Sequence, residues 1–232
     1  LNIGTKTNFN DQSLIISDKQ LVVPIKPFFE SLKFIVDQDI YKDEPLAKPF
    51  VIIGGGFAGI EIAFSLRNRW PKRSIQLKIK SASKLKKNIL NTLKDLHIEL
   101  IQENPSVLYP TLLCTGNKSL EWIKNSGLPI DQNGRVLTKN TLQVLNYPEL
   151  FAVGDCGVIK DNSRPSSGVW AVRSAIPLAR NLENMSKCVK LYEWKPQRKA
   201  IQLIDINTSK NHSKAFIAWG QFMIGPYDFL SK

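Results

Sequence analysis

Hydrophobic positions along the 232-residue chain fall into short runs separated by turn-forming residues. Near the start, "SLIIS" and "QLVVPIK" flank "DK", a spacing that predicts the two strands of a hairpin. "PFFESLKFIVDQDI" then sets Phe28, Phe29, Leu32, Phe34, Ile35 and Val36 at roughly helical spacing, and Pro27 suits a first helical position. The polar "YKDEPLAKP" carries two prolines and reads as a linker and domain boundary. "PFVIIGGG" predicts a buried strand running into a tight turn. "FAGIEIAFSLRNRW" predicts a helix with Ile60, Ala63, Phe64 and Leu66 on its apolar side. "IQLKIK" alternates apolar and polar residues, the mark of a strand. "SKLKKNILNTLKDL" spaces Leu85, Ile89, Leu93 and Leu96 by 4, 4 and 3, the mark of an amphipathic helix. With "HIELI" as a third strand, the order is strand, helix, strand, helix, strand, which predicts a parallel α/β unit.

Beyond Pro105 the order changes. "LYPTLLCTGN" predicts a strand ending in a turn, and "SLEWIKNSGLPID" a short helix stopped by glycine. "QNGRVL" carries an Asn-Gly hairpin signal, "LFAVGD" reads as another buried strand, and "GVWAVRSAIPLARNLENM" as a helix interrupted by proline. The tail "RKAIQLIDINTSKNHSKAFIAWGQFMIG" predicts a two-strand hairpin with a polar turn. Within it, "FIAWGQFMIG" is either a core strand or an exposed apolar edge for a quinone, a membrane or a second copy.

Composition narrows the picture. The net charge of +12 raises nucleic acid or an anionic surface as partners. Yet the tightest basic cluster, "KIKSASKLKK", lacks interleaved aromatics and any nucleic-acid motif, so no nucleic-acid partner is expected. Attraction of anions, cofactor phosphates included, accounts for the charge better. Apolar runs fall well short of the roughly 18 residues that span a bilayer. The start, "LNIGTKTNFND", lacks the basic and apolar parts of a secretory signal, which points to the cytoplasm, with peripheral membrane association left open. Cys114, Cys156 and Cys188 form neither a Cys-x-x-Cys pair nor a zinc pattern, and His97 and His212 lie in unpromising contexts. No metal site and no acid-base side chain is assigned.

The chemistry concentrates at two places. Gly54, Gly56 and Gly59 form Gly-x-Gly-x-x-Gly directly after a strand and at the start of a helix. The first glycine permits the turn, the second lets backbone approach a pyrophosphate, and the third packs helix on sheet. With Gly55, Phe57 and Ala58 they make a loop whose N–H groups suit a dinucleotide. A turn that merely allows close packing is the alternative. The acid that would bond the ribose of NAD belongs about 20 residues on. Ile79, Lys80 and Ser81 stand there instead. Lys80, Ser81 and Lys84 suit the 2′-phosphate of NADP, or are simply a solvated strand end. The second place is Gly154-Asp155 after "FAV", a carboxylate at a strand end, paralleled by Thr115-Gly116 after "LLC".

Together these stretches resemble the FAD-dependent pyridine nucleotide-disulfide oxidoreductase superfamily, whose members carry two dinucleotide-binding domains. "TLQVLNYPELFAVGDC" resembles the second FAD motif, which implies that Asp155 binds the ribityl chain. "LLCTGN" resembles the family's Ala-Thr-Gly turn at Thr115 and Gly116. "VIIGGGFAGIEIA" resembles the inserted nicotinamide loop, with Glu61 at its usual acidic place. The likeness is greatest to type II NADH dehydrogenase-like proteins. "RPSSGVWAVRSAIPLARNLE", followed by "YEWKPQRKAIQLIDIN", is similar to the flavoprotein portion fused to selenide, water dikinase; there the Pro165–Arg173 run, with Gly168 and Val169, starts the helix beneath the flavin.

The resemblance implies an α/β fold of Rossmann-like βαβ units, with an incomplete FAD domain and an inserted, shortened NAD(P)-binding domain. Residues 1–47 would be an FAD-domain segment and linker, 48–110 the insert, 111–182 the returning FAD segment, and 183–232 a C-terminal strand region. "LNIGTKT" matches the end of the first FAD segment, so the loop for the ADP half of FAD is expected upstream of Leu1. Asp155 alone is expected to hold FAD weakly. The return from Ile98 to Leu112 omits the family's three-stranded meander. The implied activity is hydride transfer from NAD or NADP to flavin and on to a quinone or other small acceptor. A non-catalytic or regulatory module associated with a selenide, water dikinase is the alternative.

Overall fold

The computed structural model describes residues 1–8, 21–81, 85–103, 109–206, 212–220 and 222–230. In chain order its first half holds β1 (Lys6–Thr7), β2 (Val22–Pro24), α1 (Phe28–Asp37), β3 (Phe50–Ile53), α2 (Phe57–Arg69), β4 (Ile75–Lys78), α3 (Lys87–Asp95), β5 (Ile98–Ile101) and β6 (Thr111–Leu113). There follow β7 (Asn117–Lys118), α4 (Glu121–Lys124), β8 (Val136–Thr138), β9 (Gln143–Val144), β10 (Tyr147–Phe151), β11 (Gly157–Ile159) and α5 (Gly168–Ser186). The chain ends with β12 (Ile201–Asp205), β13 (His212–Trp219) and β14 (Phe222–Leu230). The contacts divide it into two compact units, Thr7–Gly116 with Ile201–Lys232, and Leu1–Lys6 with Asn117–Ala200. These units follow different lines from the four segments read in the sequence, because β6 pairs with β3 and the C-terminal strands pack on α2 and α3.

In the first unit β2, β6, β3, β4 and β5 form one sheet in that order, every neighbouring pair parallel. β3 lies centrally, and Phe50, Val51 and Ile52 are fully buried, as a strand covered on both faces requires. α2 buries Ile60, Ala63, Phe64 and Leu66, the side its sequence periodicity marks. α3 buries Ile89 and Leu93, with Leu85 and Leu96 packed at the margin of the same core. The βαβαβ order read from the sequence is therefore the observed one. β2 pairs in parallel with β6; the "SLIIS" half of the expected N-terminal hairpin lies outside the described residues.

Three differences from the expected pattern have physical causes. α1 turns only Ser31 and Phe34 fully inward, while Phe28 and Phe29 point outward at 65% and 79% exposure. The tail forms three strands, not two, in the antiparallel order β12-β13-β14. Strand alternation sends Ile204, Phe216 and Ala218 inward and Ile201, Leu203, Trp219, Phe222 and Ile224 outward. "FIAWGQFMIG" is thus core on one face and exposed apolar surface on the other. Third, Arg73 in the polar-looking "WPKRS" is 1% exposed. Its guanidinium donates to the Gln38 and Lys48 carbonyls and to Gln38 Oε1, and it lies over the rings of Tyr41, Phe50 and Trp70. Burial lowers its pKa, and the carbonyls and ring faces supply the compensation that a buried cation needs.

In the second unit β10, β9, β8 and β11 form a small mixed sheet, antiparallel except for β8 with β11. Its core is Ile123, Val136, Val144, Ala152 and Cys156. The strand expected through "LFAVGD" ends at Phe151, and Gly154–Cys156 form a 3₁₀ turn. α5 runs through Pro177 and buries Asn181, whose amide bonds the Thr141 and Tyr192 carbonyls and accepts from the Tyr192 N–H.

The packing of the C-terminal sheet on α2 is testable at one residue. The rings of Phe64 and Phe216 lie 6.3 Å apart in the core shared by α2 and β13. Phe216→Ala is expected to destabilise this unit by about 3–5 kcal/mol, read from urea unfolding followed by tryptophan fluorescence. A loss below about 1 kcal/mol, the size of a surface change, would contradict this packing.

Candidate functional site

The glycine loop is built by crowding on one side and openness on the other. Gly54 leaves β3 at φ +135°, and a Cβ there would lie 2.3 Å from the Cys114 carbonyl oxygen. A Cβ on Gly59 would sit 1.9 Å from the Gly54 carbonyl oxygen, and one on Gly55 would sit 2.7 Å from Ile79 Cγ2. These positions exclude any side chain because backbone or core lies against them. Gly56 differs: a Cβ there meets nothing within 4 Å. Gly56 is the N-cap of α2, with no side-chain cap, so the first-turn N–H groups at Phe57, Ala58 and Gly59 lie at an open helix start.

The loop sits at the carboxyl ends of β3 and β4. The Gly54 N–H donates to the Lys78 carbonyl at 3.0 Å, and the Cys114 N–H donates to the Ile53 carbonyl at 2.7 Å. Lys80 is exposed just past β4, and Ile79 is buried beneath Gly55. Lys84 lies outside the described residues. Thr115 and Gly116 follow β6 in this same unit; the Thr115 hydroxyl donates to the Asn8 carbonyl, and the Asn8 N–H donates to Gly116. Burial pushes the Cys114 thiol up to about 12, so it is no nucleophile at neutral pH.

Glu61 lies half-buried on α2 where β12 packs. Desolvation raises its pKa; the Asp205 backbone N–H hydrogen bond opposes this, and the Asp205 carboxylate adds repulsion. No local signal in the sequence pairs Glu61 with Asp205, because the partner arrives from the far end of the chain.

The second group of candidates lies in the other unit. Gly154 has φ +68°, and a Cβ there would come within 2.7 Å of Asn2 Oδ1. The Thr5 hydroxyl donates to Asp155 Oδ2 at 3.2 Å, and the Val153 N–H donates to the Leu1 carbonyl at 3.0 Å. The segment that resembles the end of a first FAD segment is thus bonded to the segment that resembles the second FAD motif. α5 packs against the Gly154–Cys156 turn, which brings Gly168 and Val169, in its first turn, to the same end of the unit as Asp155. Ser167 is the N-cap but makes no side-chain capping bond. Thr5 went unmarked in the sequence as a partner of Asp155, although its place beside Gly4 in the turn-like "IGT" was the available signal.

No protein-family model matches the chain. It is similar to Ferroptosis suppressor protein 1 of Xenopus tropicalis, 24% identical over 196 residues that cover 68% of this chain and 52% of that protein. It is also similar to a Probable NADH dehydrogenase of Dictyostelium discoideum, 25% identical over 174 residues, 60% of this chain and 39% of that one. The chain therefore spans about half, or less, of the length of these curated relatives. The solved sulfide:quinone oxidoreductase of Aquifex aeolicus matches with a TM-score of 0.62 at 15% identity, covering 94% of this chain and 60% of that one. That likeness shows the fold, the Rossmann-like one of oxidoreductases that bind FAD and NAD(P).

Two substitutions test this geometry. Gly59→Ala is expected to cost about 3 kcal/mol, the upper end of overpacking, whereas Gly56→Ala is expected to cost about 1 kcal/mol or less; thermal unfolding separates them, and equal losses would contradict the loop geometry. For Glu61 the folded pKa is raised above its ordinary 4.5, so the folded chain holds this proton more tightly than the unfolded chain. Its contribution to stability is then greatest below that value and is lost as pH rises through the folded pKa. Glu61→Gln should match the parent chain near pH ~4 and become the more stable of the two toward neutrality; a difference that is constant with pH would contradict the buried-carboxyl assignment.

Proposed function

We propose that this chain forms the nicotinamide-binding and flavin-facing parts of an FAD-dependent NAD(P)H oxidoreductase, which passes hydride from nicotinamide to flavin and on to a quinone or other small acceptor. The observation that carries the reading is the glycine loop, where three glycines are closed in by backbone or core and Gly56 alone faces open space beside an uncapped helix start. That is the shape a pyrophosphate requires: close backbone approach and N–H groups aimed at negative charge. The sequence segments 1–47 and 111–182 are read as FAD-domain pieces, and 48–110 as the nicotinamide-binding insert.

The roles follow from position. The N–H groups at Phe57, Ala58 and Gly59 hold the pyrophosphate of the nicotinamide cofactor. Lys80, exposed and with no acid at 79–81, meets the 2′-phosphate of NADPH. Thr115 and Gly116 border the same loop. Asp155, oriented by Thr5, accepts from the ribityl hydroxyls of FAD, and the α5 start at Gly168 and Val169 favours negative charge on the bound ring. Flavin, when bound, supplies hydride acceptance and onward electron transfer. Glu61, engaged by Asp205, serves the seat of β12 on α2.

The NADH dehydrogenase name of the Dictyostelium relative and the quinone-using name of the Aquifex enzyme support the donor and acceptor classes. Among the described residues no helix is long and apolar enough to cross a membrane. The outward face of Ile201, Leu203, Trp219 and Phe222 is the surface available to a membrane or a second copy. Association with a selenide, water dikinase rests on the Pro165–Arg173 run and the segment after it.

The visible spectrum of the purified chain with added FAD, followed by anaerobic NADPH or NADH, tests the reading. A flavin band that bleaches faster with NADPH is expected; failure to bind either flavin or nucleotide would overturn it. Lys80→Gln should weaken NADPH binding by roughly tenfold, about 1.4 kcal/mol, and leave NADH binding nearly unchanged. Equal losses for both nucleotides would remove Lys80 from the 2′-phosphate role.

A further inference from the structure

The unit that contains Asp155 has a pocket of about 50 Å³, partly open to solvent and lined by β8 and β11 residues, the 162–167 loop and the first turns of α5. Holding a water takes about 10–15 Å³ on this measure, so the space suits one small ion or a few waters. Three polar atoms of its lining residues are buried without a hydrogen-bond partner among the described residues: Thr138 Oγ1, Arg164 Nε and Ser167 Oγ. Thr138 is wholly buried. Such atoms are costly unless something supplies their missing bonds.

The charge around the cavity is one-sided. Two arginines line it, and no Asp or Glu does. Arg135 is already neutralised by Asp131, with Nε and Nη2 donating to Oδ2 at 2.9 and 2.8 Å. Arg164 is not: Nη1 and Nη2 donate to the carbonyls of Ser163 and Pro196, its guanidinium lies 5.5 Å from the Trp170 ring centre, and among the described residues no carboxylate pairs with it. Ser167, the N-cap of α5, spends its hydroxyl on no helix N–H, and the positive end of α5 adds to the field. Water would satisfy the hydroxyls; an anion would in addition pair with the partly exposed Arg164 charge.

We propose that this cavity binds one small inorganic anion, of chloride to bicarbonate size, held by Arg164 Nε and by the hydroxyls of Thr138 and Ser167. Of the residues assigned to cofactors only Gly154 borders it, though it shares the start of α5 with the proposed flavin position. The anion neutralises Arg164 and ties β8, the 162–167 loop and α5 together.

Bromide is the probe. Thermal unfolding in sodium bromide and in sodium gluconate, a bulkier anion, is compared at equal ionic strength, and bromide-soaked crystals are measured at the bromine absorption edge. The proposal expects saturable stabilisation by bromide and an anomalous peak in the cavity. Thr138→Val, which keeps shape and removes the hydroxyl, and Arg164→Gln should each raise the half-saturating bromide concentration by about tenfold or more, the worth of one charge-assisted hydrogen bond. Identical midpoints in the two salts with only water in the cavity would overturn it, as would a bromide response that both variants retain. Should Arg164→Gln fail to fold, Thr138→Val and the anomalous map decide the matter.

Discussion

The close approach of α2 to the turn that ends β3 is the constraint on which the glycine-loop unit depends. Gly59 can stand against the Gly54 carbonyl, and Gly54 against the Cys114 carbonyl, only because neither carries a side chain. That contact sets the depth at which α2 lies on the sheet. It thereby buries Ile60, Ala63 and Phe64 against Phe50, Ile52 and Leu77. It also leaves the start of α2 uncapped beside Gly56, at the carboxyl end of the sheet, where parallel α/β proteins place their ligands. Packing and binding surface are two sides of one backbone arrangement.

The same depth leaves the outer side of α2 to be covered. The β12-β13-β14 sheet covers it, with Ile204, Ile206 and Phe216 completing the core and Asp205 reaching Glu61. In the other unit the corresponding tie is made at long range in sequence: Leu1 to Thr5 lie along Val153 to Asp155, and α5 closes on the Gly154 turn. Each candidate site is therefore held by segments far apart in the chain. Each is stable only once its unit has folded.

Much of the fold was legible because period and punctuation agree. β3 is a continuous apolar run, α2 and α3 repeat at helical spacing, and glycine marks the turn between β3 and α2. The glycine tasks at Gly54, Gly56 and Gly59 were readable for the same reason, since each follows from its place in the strand–turn–helix order. What was not legible depends on partners distant in sequence. Phe28 and Phe29 are as apolar as Phe34, and only the neighbours of α1 decide that Phe34 alone is buried. Arg73 reads as a surface residue until Tyr41, Phe50 and Trp70 surround it. Glu61 with Asp205, Thr5 with Asp155, and Thr138 with Arg164 in one pocket lining carry no short-range signature at all.

The central claim is that the open side of this glycine loop receives a nicotinamide dinucleotide. Hydrogen exchange of the backbone amides, measured with and without NADPH, tests it most directly. Slowed exchange confined to the Gly54–Ile60 turn and the residues just past β4 is the predicted result. Nucleotide binding that leaves those amides unchanged, or no binding at all, would contradict it and leave Gly54, Gly55 and Gly59 with packing as their whole purpose.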